Sequence, residues 1–270
     1  MLLALRDWLV EAPTTLAVGA LVGSMAAASV LGLALVHAFV PRALRSAHNE
    51  VAGSAIAVVG VVYAVLLAFI AVAVWEDFEK AGALVETEAN LVGNLYRDTV
   101  GLPEPLATGL RHSLFVYAET VAQDEWPALA AGRVEDAAGW QLLDRFHLSL
   151  AGLHPSEPGL LAIEAEMLRN LNALYDARRG RFRAAEVGLP PILWWNLLAG
   201  ASLTILFSYL FGVPNFAMHG VMVALLGASI ALVLSLIILL DNPFRGPNHV
   251  SAAPFVRLVE TVEQMAYPKN

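Results

Sequence analysis

The sequence predicts an all-α integral membrane protein, with four transmembrane helices and a cytosolic helical-bundle insert between spans 2 and 3. Three observations carry that expectation. Of 270 residues, 58% are hydrophobic and only 15% charged, against roughly a quarter charged in an ordinary globular domain; mean hydropathy is +0.63. Four apolar runs, Leu16–Val40, Val51–Val74, Ile192–Phe211 and Met218–Leu240, each reach the ~20 residues a helix needs to cross a ~30 Å hydrocarbon core. Between the second and third runs, apolar residues recur at helical spacing, with no stretch of strand-like alternation.

The second run organises the chain. In His48–Leu95 the first half, Val51 to Val74, is apolar and uncharged, and the second half becomes amphipathic with no Gly-Pro break. Phe78, Val85 and Val92 recur every seventh residue, flanked by Leu84, Leu91 and Leu95, with Glu76, Lys80 and Glu88 between them. That pattern predicts one helix that crosses the membrane and continues into water. Gly53, Ala57, Gly60, Ala64 and Ala68 form a small-residue stripe that lets another helix approach closely. The stripe suits packing inside one subunit, and it also suits a central axis shared by several copies.

The other segments follow in order. Residues 1–15 form an N-terminal segment in which Leu2, Leu3, Leu5, Trp8 and Leu9 suit a short helix at the membrane surface. The early charges Arg6, Asp7 and Glu11, and the length of the apolar run after them, do not fit a secretory signal. Residues 16–75 hold the first two spans, and Pro41 closes the first. In the insert, residues 76–191, Gly101-Leu102-Pro103 breaks the chain. Pro105 to about Gln123 reads as a helix with Leu106, Leu110, Leu114, Ala118 and Val121 on one face. Asp124-Glu125-Trp126-Pro127 interrupts it. Val134 to Leu150 carries Val134, Ala138, Leu142, Phe146 and Leu150 at helical spacing. Ser156 reads as the N-cap of a long helix to about Glu186, carrying Ile163, Met167, Leu171 and Leu174. Residues 192–240 hold the last two spans, with Trp194 and Trp195 at the interface and a tight turn at Gly212-Val213-Pro214-Asn215. Residues 241–270 form a cytosolic tail with Phe255, Val256, Leu258 and Val262.

Four spans put both termini and the insert on one side. That side holds Arg6, Lys80, Arg178, Arg179, Arg181, Arg183, Arg245 and Arg257, and the other only Arg42 and Arg45. The excess of basic residues assigns termini and insert to the cytoplasm of a bacterial inner membrane.

Composition also excludes function classes. There is no cysteine, which removes thiol chemistry and disulfides, and the net charge of −8 argues against a nucleic-acid partner. Asp124, Glu125 and Glu119 are acidic neighbours that suit a divalent ion or, more simply, a solvated helix end. His112, His147 and His154 lack metal-ligand spacing, and Glu164 and Glu166, two apart on one helix, cannot converge. No catalytic constellation, metal site or cofactor motif is expected, and so no enzyme. Midplane carboxylates of the kind coupled transporters use are missing from the spans. An apolar span suits a constriction that gates by dewetting. The run Arg178-Arg179-Gly180-Arg181-Phe182-Arg183 before the third span suits contact with anionic lipid headgroups, an anion-attracting vestibule, or pairing with Glu86 or Glu88.

The words HNEVAG, GVVYAVLLAF, VWEDF, GLPEP, DEWPAL, DARRGR, GLPPILWW and DNPFRG, in this order from Ala47 to Phe255, resemble the bestrophin-like domain family of membrane proteins, distant relatives of the bestrophin ion channels. The resemblance implies a homo-oligomer, pentameric as bestrophins are, that conducts small inorganic ions through a pore lined by the second span. The candidate lining or gate residues on it are Asn49, Ser54, Val58, Val61, Tyr63, Leu66 and Phe69. Val58, Val61 and Leu66 are the expected dry constriction, and Asn49 and Glu50 the outer mouth. Asn242-Pro243-Phe244, after Asp241, matches the element that follows the last span in bestrophins and is expected to fix that span against the insert. Arg245 and Gly246 stand where calcium-responsive bestrophins carry an acidic run, so calcium gating is not implied. The competing expectation is a non-conducting scaffold or sensor whose insert binds a partner.

Overall fold

The computed structural model describes residues 8–41, 45–46, 49–134 and 137–266. Among them all regular structure is helical. The α-helices are α1 (Thr14–Phe39), α2 (Asn49–Asp98), α3 (Leu106–Thr120), α4 (Trp126–Ala130), α5 (Ala137–Ala151), α6 (Pro158–Glu186), α7 (Pro191–Tyr209), α8 (Phe216–Leu240) and α9 (Ala253–Ala266). A 3-10 turn follows α2 and a π-helical turn, Val121–Glu125, joins α3 to α4. Of the expected surface segment, Leu2, Leu3 and Leu5 lie outside the described residues, as do Arg42 and His48.

The chain divides into two compact units. One comprises Met1–Glu76, Gly188–Asn242 and Gly246–Asn248, the other Asp77–Val187, Pro243–Arg245 and His249–Asn270. The helix α2 is unbroken and belongs to the first unit up to Glu76 and to the second from Asp77.

The first unit holds the apolar helices. Four helical stretches are long and apolar enough to cross a membrane, and the chain is an integral membrane protein. Helices α1 and α8 lie side by side, and α7 packs on both. The shared core includes Leu33, Tyr63, Leu67, Ile70, Leu197, Ile205, Tyr209, Val223, Leu234 and Ile237. Close packing uses small residues: Gly200 lies under the Tyr63 ring, Gly32 under Tyr209 and Gly227 against Ser29, and none has room for a methyl group. Without water, polar atoms must find partners inside the fold. The Tyr63 hydroxyl donates to the Leu197 carbonyl at 3.0 Å. His219 Nε2 meets the Ser208 carbonyl at 3.0 Å. The Gly212 N–H donates to Asn49 Oδ1 at 2.8 Å, the Met218 N–H to Asn215 Oδ1 at 3.2 Å, and the Leu189 N–H to Asp241 Oδ1 at 2.6 Å.

The second unit is a helical bundle around the amphipathic end of α2. Ala81, Val85, Val92 and Leu95 of α2 are buried with Leu110, Leu114 and Tyr117 of α3, Leu143, Phe146 and Leu150 of α5, Met167, Leu171 and Leu174 of α6, and Phe255 of α9. Two expectations are corrected here. The segment Asp124–Pro127 does not interrupt the helix: the backbone widens to a π turn over Val121–Glu125 and runs on into α4. Pro127 lacks an N–H, and a local widening accommodates the missing bond. Ser156 is not the N-cap of α6. Glu157 occupies that place and Pro158 is the first helical residue, where a missing N–H costs nothing. The tail holds an amphipathic helix, Ala253–Ala266, whose Phe255 and Val262 are buried.

Candidate functional site

Two arrangements stand out, one in each unit. In the first unit α2 has one covered and one open face. Tyr63, Leu67, Ile70 and Val74 are buried in the core. Ser54, Val58, Val61 and Phe69, spaced by four, three and eight, share the opposite face with Val51, Val65 and Val72, and all seven are exposed in the protomer. The seven candidate lining residues therefore fall on different sides. Tyr63 is 5% exposed, with its hydroxyl engaged by Leu197. Leu66 is half-buried against the core. Asn49 is half-buried, with its side-chain oxygen bonded to Gly212. Glu50 is exposed. The small-residue stripe is uncovered too: nothing stands within 4 Å of a Cβ built on Gly60, and Ala57, Ala64 and Ala68 are exposed.

In the second unit a charge cluster lies at the centre of the bundle. Arg178 and Arg181 of α6 are fully buried, as is Glu88 of α2, and Glu125 of the π turn is 3% exposed. Arg181 Nε and Nη2 donate to Glu88 at 2.6 and 3.1 Å, and Nη2 also donates to Glu125 Oε2 at 2.7 Å. Arg178 grips Glu125 with both terminal nitrogens, at 3.0 and 2.5 Å. The Tyr117 hydroxyl donates to Glu88 at 2.6 Å and accepts from Arg178 at 3.1 Å. Phe182 lies 4.9 and 4.6 Å from the Arg178 and Arg181 guanidinium carbons, Trp140 4.9 Å from Arg178, and Trp126 5.4 Å from Arg181. Gly139 of α5 passes so close to Arg178 and Glu125 that a Cβ has no room. Burial, and then the negative charge of Glu88, push the Tyr117 phenol well above its ordinary pKa. Burial works to lower Arg181, but the Glu88 carboxylate and its hydrogen bond outweigh it, and the guanidinium stays charged with its pKa raised.

This corrects the expected lipid or anion contact of the arginine run. Arg178 and Arg181 are sealed from any headgroup because they continue the buried stripe Met167, Leu171, Leu174 at spacings of four, three, four and three. Arg179 and Arg183 point outward, and Arg179 pairs with Asp176 at 2.6 Å. Glu88 likewise sits in phase with Ala81, Val85, Val92 and Leu95. That phase is the signal that locates the cluster. Glu125 is not a solvated helix end, although its neighbour Asp124 is exposed. Among the described residues no three His, Asp or Glu side chains converge as a metal site.

The element after the fourth span is divided. Asp241, 7% exposed, closes the first unit through Leu189. In the second, Phe244 meets Trp126 edge-on with centroids 5.7 Å apart, Trp126 Nε1 donates to the Val250 carbonyl at 3.0 Å, and the Val250 N–H donates to the Pro243 carbonyl at 2.7 Å. Asn242 is half-buried beside them in sequence.

The bestrophin-like domain family matches residues 23–255. The chain belongs to that family. Its fold is also that of solved bestrophin homologues. Crystal structures of two single-substitution variants of a bacterial bestrophin homologue from Klebsiella pneumoniae superpose with TM-scores of 0.68 and 0.63 at 16% identity. The first alignment covers 91% of this chain and 99% of the other, and the second 90% and 98%. A third crystal structure, of a membrane protein variant, gives 0.67 at 16% identity over 91% and 98%. No curated protein matches at a significant level.

Proposed function

We propose that this bestrophin-like chain assembles as a homo-oligomer, with five copies the first assembly to test, in a bacterial inner membrane. It conducts small inorganic ions along an axis lined by α2, with residues 76–191 and both termini in the cytoplasm. The observation that carries this reading is the two-faced second span. One side is spent on the protomer's core, and the other leaves Ser54, Val58, Val61 and Phe69 exposed in the protomer. Val58, Val61 and Phe69 are large enough to hold a narrow axis dry, and polar substitution there wets it. Asn49, Tyr63 and Leu66 leave the lining set, because each is committed to contacts inside its own subunit.

Planar-bilayer recording of the purified protein in asymmetric salt tests the reading. Wild type carries current whose reversal potential reports selectivity. Val58→Ser and Phe69→Ala raise the leak current, whereas Tyr63→Phe leaves conductance unchanged. A silent wild type, or currents indifferent to every substitution on the open face, removes the pore.

The scaffold reading draws on a groove of about 430 Å3 between α2 and α9, lined by Glu86, Asn90, Arg97, Arg257 and Thr261. Stoichiometry separates the two readings: a ring with an open axis belongs to the channel, and a monomer or closed dimer to the scaffold.

A further inference from the structure

A third buried cation, in the membrane unit, has no counter-charge among the described residues. Arg45 is 5% exposed. Its Nη2 lies 2.9 Å from His37 Nδ1. A guanidinium only donates, so Nδ1 accepts and His37 is neutral, with its ring proton on Nε2. The Arg45 Nε is buried and makes no hydrogen bond. Among the described residues no carboxylate stands within ion-pair distance of it, and Glu50, the next acidic residue along the chain, is exposed. An isolated buried charge is costly, which is why buried arginines in proteins are paired.

The surroundings are donor-rich. The His37 ring lies 5.1 Å from that of Phe216, the first residue of α8. That helix of 25 residues has no acidic residue in its first turn, and the Asn215 side chain caps one of its N–H groups, that of Met218. His37 thus touches both the guanidinium and the first residue of that helix, and a guanidinium with no carboxylate partner among the described residues and a helix N-terminus each favour an anion.

We propose that this end of the membrane unit binds a phosphate oxyanion, with Arg45 as its anchor, His37 orienting the guanidinium and the α8 N-terminus adding its dipole. The planar fork of arginine suits phosphate oxygens better than a point charge does. The phosphate comes either from an anionic lipid headgroup or from free inorganic phosphate. The site does not depend on conduction.

The test uses the full-length protein, delipidated in neutral detergent, in two arms. One titrates inorganic phosphate. The other reconstitutes the protein in phosphatidylcholine vesicles with increasing phosphatidylglycerol. Both follow the thermal midpoint, and native mass spectrometry counts retained phosphatidylglycerol per subunit. Wild type is stabilised in at least one arm, and the arm that responds identifies the source. Arg45→Gln weakens the apparent affinity roughly tenfold or more, the loss expected for a charge-assisted bond. Arg45→Lys, which keeps charge but loses the fork, weakens it severalfold. Arg179→Gln, at an exposed arginine of α6, changes nothing. A wild type that responds in neither arm overturns the proposal, as does Arg45→Gln with wild-type affinity. If Arg45→Gln does not fold, Arg45→Lys decides: wild-type affinity in that variant overturns the proposal equally.

Discussion

Arg178 and Arg181 in the second unit and Arg45 in the first are all buried, and the fold treats them in opposite ways. The first two meet two carboxylates and a phenol, with aromatic rings packed against them, so four charges sum to zero inside a closed bundle. Arg45 meets one neutral imidazole nitrogen. A closed bundle has to satisfy its interior by itself. A membrane unit can draw on something outside the chain, and its unpaired groups then mark where it does so. The same contrast holds for apolar surface. The amphipathic end of α2 buries Ala81, Val85, Val92 and Leu95, whereas the apolar end leaves Val51, Val58, Val61, Val65 and Phe69 open. Open apolar surface on a membrane helix is an invitation to lipid or to another copy.

The strongest way to break the comparison is to unbalance the paired cluster. Arg181→Met leaves Glu88 and Glu125 without one of their two cations, and costs about 3–5 kcal/mol. Chemical unfolding of the full chain in detergent, followed by tryptophan fluorescence, reports it. Adding Glu88→Gln to Arg181→Met recovers part of that loss, because it removes a stranded charge. A double mutant as unstable as the sum of the singles contradicts the coupling.

Tyr117 sharpens the same point at smaller cost. Tyr117→Phe removes a donor to an ionised carboxylate and costs about 1.5–3 kcal/mol. The phenol also carries a pH signature. Its folded-state pKa is raised by burial and then by Glu88. The contribution of the neutral hydroxyl is therefore complete below its unfolded pKa near ~10, and is lost as pH rises through the folded value. Wild-type stability falls more steeply than that of Tyr117→Phe as pH is raised above about 10. Parallel profiles for the two proteins contradict this.

How much of this was legible follows from where the sequence carries a period. The spans are legible from bulk apolarity, because hydrocarbon imposes composition. In the bundle, Met167, Leu171, Leu174, Arg178 and Arg181 form one stripe, so phase, and not residue type, locates the buried arginines. Judged by charge alone they look like a headgroup contact. Glu125 also keeps phase, four residues after Val121 on the buried stripe Leu110, Leu114, Ala118 and Val121, and only the expected break at Asp124–Pro127 hides it. The open face of the second span is illegible for the converse reason. From Val51 to Val74 nearly every residue is apolar, and a pattern without contrast has no phase. Arg45 lies in a short connection with no period at all.

The smallest effects test what covers α2, and glycine reports it cleanly. Gly200→Ala pushes a methyl into the Tyr63 ring and destabilises the membrane unit by about 1–3 kcal/mol, the usual cost of overpacking. Gly60, on α2 itself, has nothing within 4 Å of the added carbon. In an isolated protomer Gly60→Ala is therefore neutral, or gains at most about 1 kcal/mol from helix propensity. In an assembly whose copies meet along the stripe Gly53, Ala57, Gly60, Ala64 and Ala68, the same methyl keeps two helices apart and weakens association. Thermal midpoint and subunit count, measured together on Gly60→Ala, separate these cases. An unchanged midpoint with fewer subunits means that another copy covers the stripe. An unchanged midpoint with unchanged stoichiometry means that this face looks onto lipid or an open axis.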